Sequence, residues 1–161
     1  MLPTVYLKAL AACDALLAVD PKNPQSEQCR SMAYRYMGNP ELALEADNRA
    51  LKLLPAFAPA ELDKAYDLIA LNRDEEALSI LNVLIKKNYR RDLAHYYRAK
   101  ILQKQDQLAL AHKNLEQALP FAWGGLAVDI LSNLNGLSAR VSDVGRLDRD
   151  LHPQFRSGSM Q

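Results

Sequence analysis

Two cysteines and six glycines in 161 residues leave little material for several kinds of protein. Two cysteines cannot build a disulfide framework, and a chain of this length does not need one to hold a core. Lys and Arg number 20 against 19 Asp and Glu, a formal charge of +1. That balance excludes a polyanion binder driven by bulk charge, though not one that uses a local patch. No run approaches the length of uncharged apolar sequence that spans a bilayer. The first twenty residues are apolar, but Lys8, Asp14 and Asp20 interrupt them and a basic leading region is missing, which argues against a signal peptide. The expected compartment is therefore the cytoplasm, with a soluble fragment of an envelope or secretion protein as the alternative. At 49% hydrophobic residues and near-zero net charge, the chain is expected to fold.

Reactive groups are equally sparse. His95, His112 and His152 lie far apart, without an i, i+4 pairing. Cys13 and Cys29 lack the C-x-x-C spacing, so a zinc site is not expected. Cys13 reads as a small core residue and Cys29 as a packed or partly exposed thiol. Gly124-Gly125 is a turn before a helix, because the Lys and Ser/Thr of a phosphate loop do not follow. Ser132, Ser138 and Ser142 have no His base. The expectation is no enzyme, no metal and no cofactor.

What the chain does have is a period of 34 residues. Ala9, Ala43, Ala77 and Ala111 form one column; Leu17, Leu51, Ile85 and Leu119 form another. Leu16, Ala50, Leu84 and Ala118 form a third, and Pro21, Pro55, Tyr89 and Trp123 a fourth. Leu10, Leu44 and Leu78 make a fifth, which His112 breaks. Each period holds two helix-length segments. Asn23-Pro24 and Asn39-Pro40 supply an N-cap followed by Pro at the first helical position, and Gly38 closes the helix between them. No segment alternates as a strand does. The chain is therefore expected to be all-α, with helices near 3–19, 24–37, 40–54, 58–71, 74–87, 91–104, 107–121 and 125–150.

The helix–turn–helix period, the small residues Ser31, Ala65 and Ala99 on first helices, and Ala43, Ala77 and Ala111 on second helices resemble the tetratricopeptide repeat (TPR) family. Tyr34, Leu68 and Leu102 fill that family's large position, and Pro21 and Pro55 its closing proline. Glu27, Glu61 and His95 stand where an aromatic is common, and Arg30, Lys64 and Arg98 where leucine is common. The resemblance implies an α-solenoid of antiparallel helix pairs: the second helix of an incomplete repeat at 1–22, repeats at 23–56, 57–90 and 91–124, a capping helix at 125–150, and a flexible tail at 151–161. Small residues at helix crossings let paired helices approach to about 8–10 Å, and stacked pairs build one core.

Both ends depart from the repeat. Residues 3–19 read as a second helix without its first, so Val5, Leu10, Leu16, Leu17 and Val19 lack a partner on one side. The array either starts there or is completed by another chain or a second copy. Trp123, Ala127, Ile130, Leu134, Leu137, Val141, Val144 and Leu151 follow alternating spacings of four and three, a heptad seam that either caps the last repeat or pairs with a partner. Gly136 and Gly145 weaken a free-standing helix.

The resemblance also implies that first helices line a concave face. Gln28, Met32 and Arg35, then Leu62, Tyr66 and Ile69, then Leu93, Tyr96, Lys100 and Gln103 are expected there. Tyr and Met favour interface cores, so the expected function is a non-catalytic scaffold or adaptor that holds a partner peptide or helix in this groove. Tyr66, Tyr96, Leu62 and Met32 would supply affinity; Arg35 and Lys100 would orient the guest. The alternatives are a self-assembling subunit, through residues 3–19 or 126–151, and a regulatory module of a larger secretion or envelope-assembly machine or enzyme. Co-chaperone members of the family clamp a terminal carboxylate, and the matching positions Gln28, Met32, Asp63, Leu93 and Tyr97 do not fit that role. Residues 86–104 carry Lys86, Lys87, Arg90, Arg91, Arg98, Lys100 and Lys104 against Asp92. This cluster is either a solvated face or an attractor for an acidic partner segment; nucleic acid is not expected.

Overall fold

The computed structural model describes residues 4–151. The helices are α1 (Thr4–Val19), α2 (Pro24–Tyr36), α3 (Pro40–Leu53), α4 (Ala58–Ala70), α5 (Asp74–Lys86), α6 (Arg91–Lys104), α7 (Leu108–Ala118) and α8 (Gly124–Leu151). A single 3₁₀ turn, Leu119–Phe121, separates the last two. No strand occurs among the described residues.

Local chemistry sets the boundaries. The Asn23 side chain accepts from the Gln25 N–H at 2.9 Å, and Asn39 accepts from Leu42 N–H at 3.3 Å, each with Pro at the first helical position. The turn from first to second helix repeats in its backbone. Gly38, Asn72 and Asp106, 34 residues apart, all have positive φ. The next residue's N–H then reaches back to Tyr34, Leu68 and Leu102 carbonyls at 3.0, 2.8 and 2.9 Å. This is a left-handed C-terminal cap, for which Gly, Asn and Asp are the tolerant residues.

Each helix packs on its chain neighbours, and α2, α4 and α6 also touch in series, which places the first helices side by side. The small columns do what close approach requires: Ala43, Ala77, Ala111, Ala65 and Ala99 are wholly buried. One core gathers Leu44, Leu68, Leu81, Leu84 and Ile101; a second joins Leu102, Leu108 and Leu115 to Ile130 and Leu137 of α8. α8 therefore lays its stripe on the last pair as a cap. Trp123, expected in that seam, is instead 82% exposed, because the 3₁₀ turn re-aims the chain before α8 begins. The Val141, Val144 and Leu151 side chains of the expected seam, and the expected tail at 152–161, lie outside the described residues.

α1 differs from every other helix. Ala9 is exposed and Leu16 is 57% exposed, although their column mates are buried throughout the later pairs. Cys13 is its one buried residue, and it is joined to Cys29 of α2 in a disulfide, with Cα atoms 5.6 Å apart. The expectation of two unlinked thiols is overturned. Cys13 and Cys29 face each other across the α1–α2 junction, a proximity that the 16-residue separation in sequence does not reveal.

The positions that depart from the family pattern carry polar ties between helices. Arg49 donates to buried Glu27 at 3.0 Å, Lys87 to Glu61 at 2.9 Å, and His95 Nδ1 lies 3.2 Å from Asn114 Oδ1. Each tie joins the first helix of a pair to its second helix or to that helix's end. Arg30 reaches Asp14 at 3.0 Å and Lys64 reaches Asn48 at 2.8 Å, tying α2 to α1 and α4 to α3.

Candidate partner-binding face

The α2/α4/α6 face is built around one guanidinium. Arg35 Nε donates to Asp67 at 2.8 Å and Nη1 to Asp63 at 2.9 Å; Nη2 donates to Asp67 at 3.1 Å and to the Asp63 carbonyl at 3.3 Å. Gln28 also donates to Asp63, at 2.9 Å. Asp47 of α3 lies beneath, fully buried, 3.8 Å from Arg35 Nη2 and without a hydrogen-bond partner for either oxygen. Burial, reinforced by the neighbouring Asp63 and Asp67 charges, pushes the Asp47 carboxyl up to about 8. Its carboxyl therefore resists ionisation far more than an exposed aspartate does.

Aromatic rings continue the line. Arg35 lies 4.9 Å from the Tyr66 ring centroid, an arrangement that favours a cation over the π face. Tyr66 meets Tyr97 edge-on at 5.4 Å, and Tyr97 meets Tyr96 at 5.7 Å. Tyr96 donates to Asp129 of α8 at 3.1 Å, and Lys100 sits 5.7 Å from the Tyr96 ring. Burial pushes the Tyr97 hydroxyl up to about 12 and also raises that of Tyr96, so both favour the neutral phenol. At the far end Gln103 donates to Asn133 at 3.4 Å. At the near end exposed Met32 borders a cleft of about 330 Å³ lined by Tyr6, Tyr36 and the disulfide, and Tyr6 stacks flat on Tyr36 at 5.7 Å.

Of the residues expected here, Met32, Arg35, Tyr66, Tyr96, Lys100 and Gln103 lie along this face. Leu62 does not: it is 8% exposed and belongs to the core. Ile69 also packs against that core, as does Leu93 of α6. Leu62 and Ile69 follow from helical phase, since 62 and 69 are seven residues apart and point inward together. Arg35 is anchored in carboxylates and is not a free orienting charge. Sequence reading weighed Tyr97 only as a carboxylate-clamp position and passed over Asp67. The 34-residue step from Asp63 to Tyr97 was the available signal, since it stacks them on successive first helices.

No family model and no curated protein matches the chain in sequence. Solved structures of MamA do superpose on it. MamA 41-end from Desulfovibrio magneticus RS-1 matches at TM-score 0.66 and 17% identity, over 90% of this chain and 86% of that one. Another crystal structure of MamA matches at 0.65 and 16%, over 88% and 91%. The MamA RS-1 ArsTM double mutant matches at 0.65 and 17%, over 91% and 86%. The fold is a TPR-like solenoid. At this identity the fold alone is shared. No helix among the described residues is long and apolar enough to cross a membrane, and no group of three or more His, Cys, Asp or Glu among them is placed to hold a metal.

Proposed function

We propose that the chain is a non-catalytic scaffold that seats a segment of a partner protein along α2, α4 and α6. The observation that carries this reading is the chain of rings Tyr66–Tyr97–Tyr96, anchored at one end by the Arg35–Asp63–Asp67 cluster and at the other by Asp129. The rings are held in place before a guest arrives, so little side-chain entropy is lost on binding. Tyr66 is 39% exposed, with apolar area and a polar tip available. Asp63, at the centre of the face, disfavours a guest's terminal carboxylate there.

A photo-crosslinking residue at Tyr66, compared with one at exposed Val83 of α5, tests the face in native extract. A discrete adduct at Tyr66 is expected, absent at Val83 and lost on Tyr96→Ala. Against the partner so captured, Tyr66→Ala with Tyr96→Ala weakens binding by about 2 kcal/mol or more with helicity unchanged. Equal binding by the double variant refutes the reading.

A second reading, self-assembly through α1, is favoured by the exposure of Ala9 and Leu16 in columns buried elsewhere. Sedimentation decides it: association lost on Leu16→Glu supports it, and a monomer at tens of micromolar counts against it. The Cys13–Cys29 disulfide supports an oxidising compartment over the cytoplasm.

A further inference from the structure

The basic stretch before α6 is not part of the ring-lined face. It lies on the edge of the array where the α5–α6 turn meets the turn before α8. There Asn88, Arg90, Arg91, Asp92, Phe121 and Trp123 line a cleft of about 460 Å³. Its two arginines are treated differently. Arg90, in the left-handed conformation at φ 39°, is neutralised by a two-pronged pair with Asp92, at 3.0 and 2.8 Å. Arg91 has no such partner. Its guanidinium lies 4.3 Å from the Phe121 ring centroid. Its Nε is buried without a hydrogen bond, and no ion pair or side-chain hydrogen bond engages the group among the described residues. Arg91 also opens α6, where the helix dipole already favours negative charge. Beside this uncompensated cation stands Trp123, 82% exposed.

We propose that this cleft binds an acidic segment of a partner protein in which a carboxylate side chain is followed by an aromatic one. The carboxylate takes the unused N–H edge of Arg91, whose planar fork suits it. The aromatic ring stacks on the Trp123 indole. Charge selects this guest over a nucleotide. The lining carries one net positive charge, which one carboxylate matches. Asp92, in the first turn of α6, faces a polyphosphate with like charge at the helix end where a phosphate would otherwise sit. The site is separate from the tyrosine face and stands whether or not that face binds anything.

Trp123 is the sole tryptophan of the chain, so its fluorescence reports on this cleft alone. The probe is a short peptide, blocked at both ends, with one Glu-Phe pair between Gly and Ser flanks. A saturable change in Trp123 emission at sub-millimolar peptide is expected. The Gln-Phe and Glu-Ala analogues should bind at least tenfold more weakly. Arg91→Gln should weaken the Glu-Phe peptide at least tenfold with the circular dichroism spectrum unchanged. Trp123→Ala, at a position too exposed to matter for folding, should do the same by calorimetry. Equal affinity for the Gln-Phe peptide overturns the proposal, as does unchanged binding by either variant, no response to any peptide, or tighter binding of ATP than of the Glu-Phe peptide.

Discussion

Reduction of Cys13–Cys29 should release α1 and leave the rest of the array standing. The bond closes a loop of 16 residues, for which the chain-entropy model gives about 3 kcal/mol. Without it, α1 keeps the Arg30–Asp14 pair at 3.0 Å, a half-exposed contact worth below about 1 kcal/mol. It also keeps the Tyr6–Tyr36 stack, worth about 0.5–1.5 kcal/mol. No apolar side chain of α1 other than Cys13 is fully buried. A helix of 16 residues lies near the length at which isolated helices are marginal in water. The cross-link is therefore the largest single attachment of α1.

Hydrogen exchange read by mass spectrometry, with and without reductant and on Cys29→Ser, measures this directly. Amides of Thr4–Val19 should lose protection while those of α3 to α7 keep theirs. The loss of ellipticity should not exceed what the 16 residues of α1 contribute. Two results refute the reasoning: α1 amides as protected in reductant as those of α3, or cooperative loss of the whole array on reduction.

Two further predictions rest on burial. Asp47 binds a proton more tightly folded than unfolded, so stability falls as pH rises from about 4 towards 8 and then levels; Asp47→Asn should abolish that fall and stabilise the protein at pH 8.5, as urea titrations at pH 5 and 8.5 would show, whereas equal destabilisation at both pH values sinks the assignment. Ala77→Leu overfills a helix crossing with no exposed surface and should cost about 1–3 kcal/mol, whereas Ala9→Leu, in the same column but on the exposed side of α1, should stay within about 0.5 kcal/mol; thermal melts that rank the two alike refute the register.

The helices were legible because their punctuation is chemical. Asn-Pro caps, the Gly38 turn and the alanine columns each act locally, and the chain obeys them. The site was legible only in part. Residue type and spacing bring Tyr66 and Tyr96 to one face, but a first helix in a solenoid turns one stripe to the core and another to the groove. The border between them shifts with packing. Leu62 falls on the wrong side of that border, and Tyr97 straddles it. The departures at Glu27, Glu61 and His95 read in sequence as lost aromatics. Their partners Arg49, Lys87 and Asn114 lie 22, 26 and 19 residues on, spacings with no common period, so no column could reveal them.

One column does connect what sequence reading kept apart. Cys13, Asp47, Leu81 and Leu115 stand 34 residues apart, and each is buried to 1% exposure or less. The facing position on the next helix steps likewise through Cys29, Asp63 and Tyr97. The same junction between one pair and the next is therefore made three ways. At α1–α2 it is a covalent bond. At α3–α4 it is a buried acid beneath an arginine shared by two carboxylates. At α5–α6 it is leucine in the same core as a half-buried tyrosine. Covalent closure suits the α1–α2 junction because α1 has packing on one side alone. The charged junction suits the next because Arg35 must reach through it to hold Tyr66. The apolar junction lies where pairs on both sides already supply a core. The chemistry of each junction thus tracks how much packing its neighbours provide, and the tyrosine face draws its anchoring charge from the middle one.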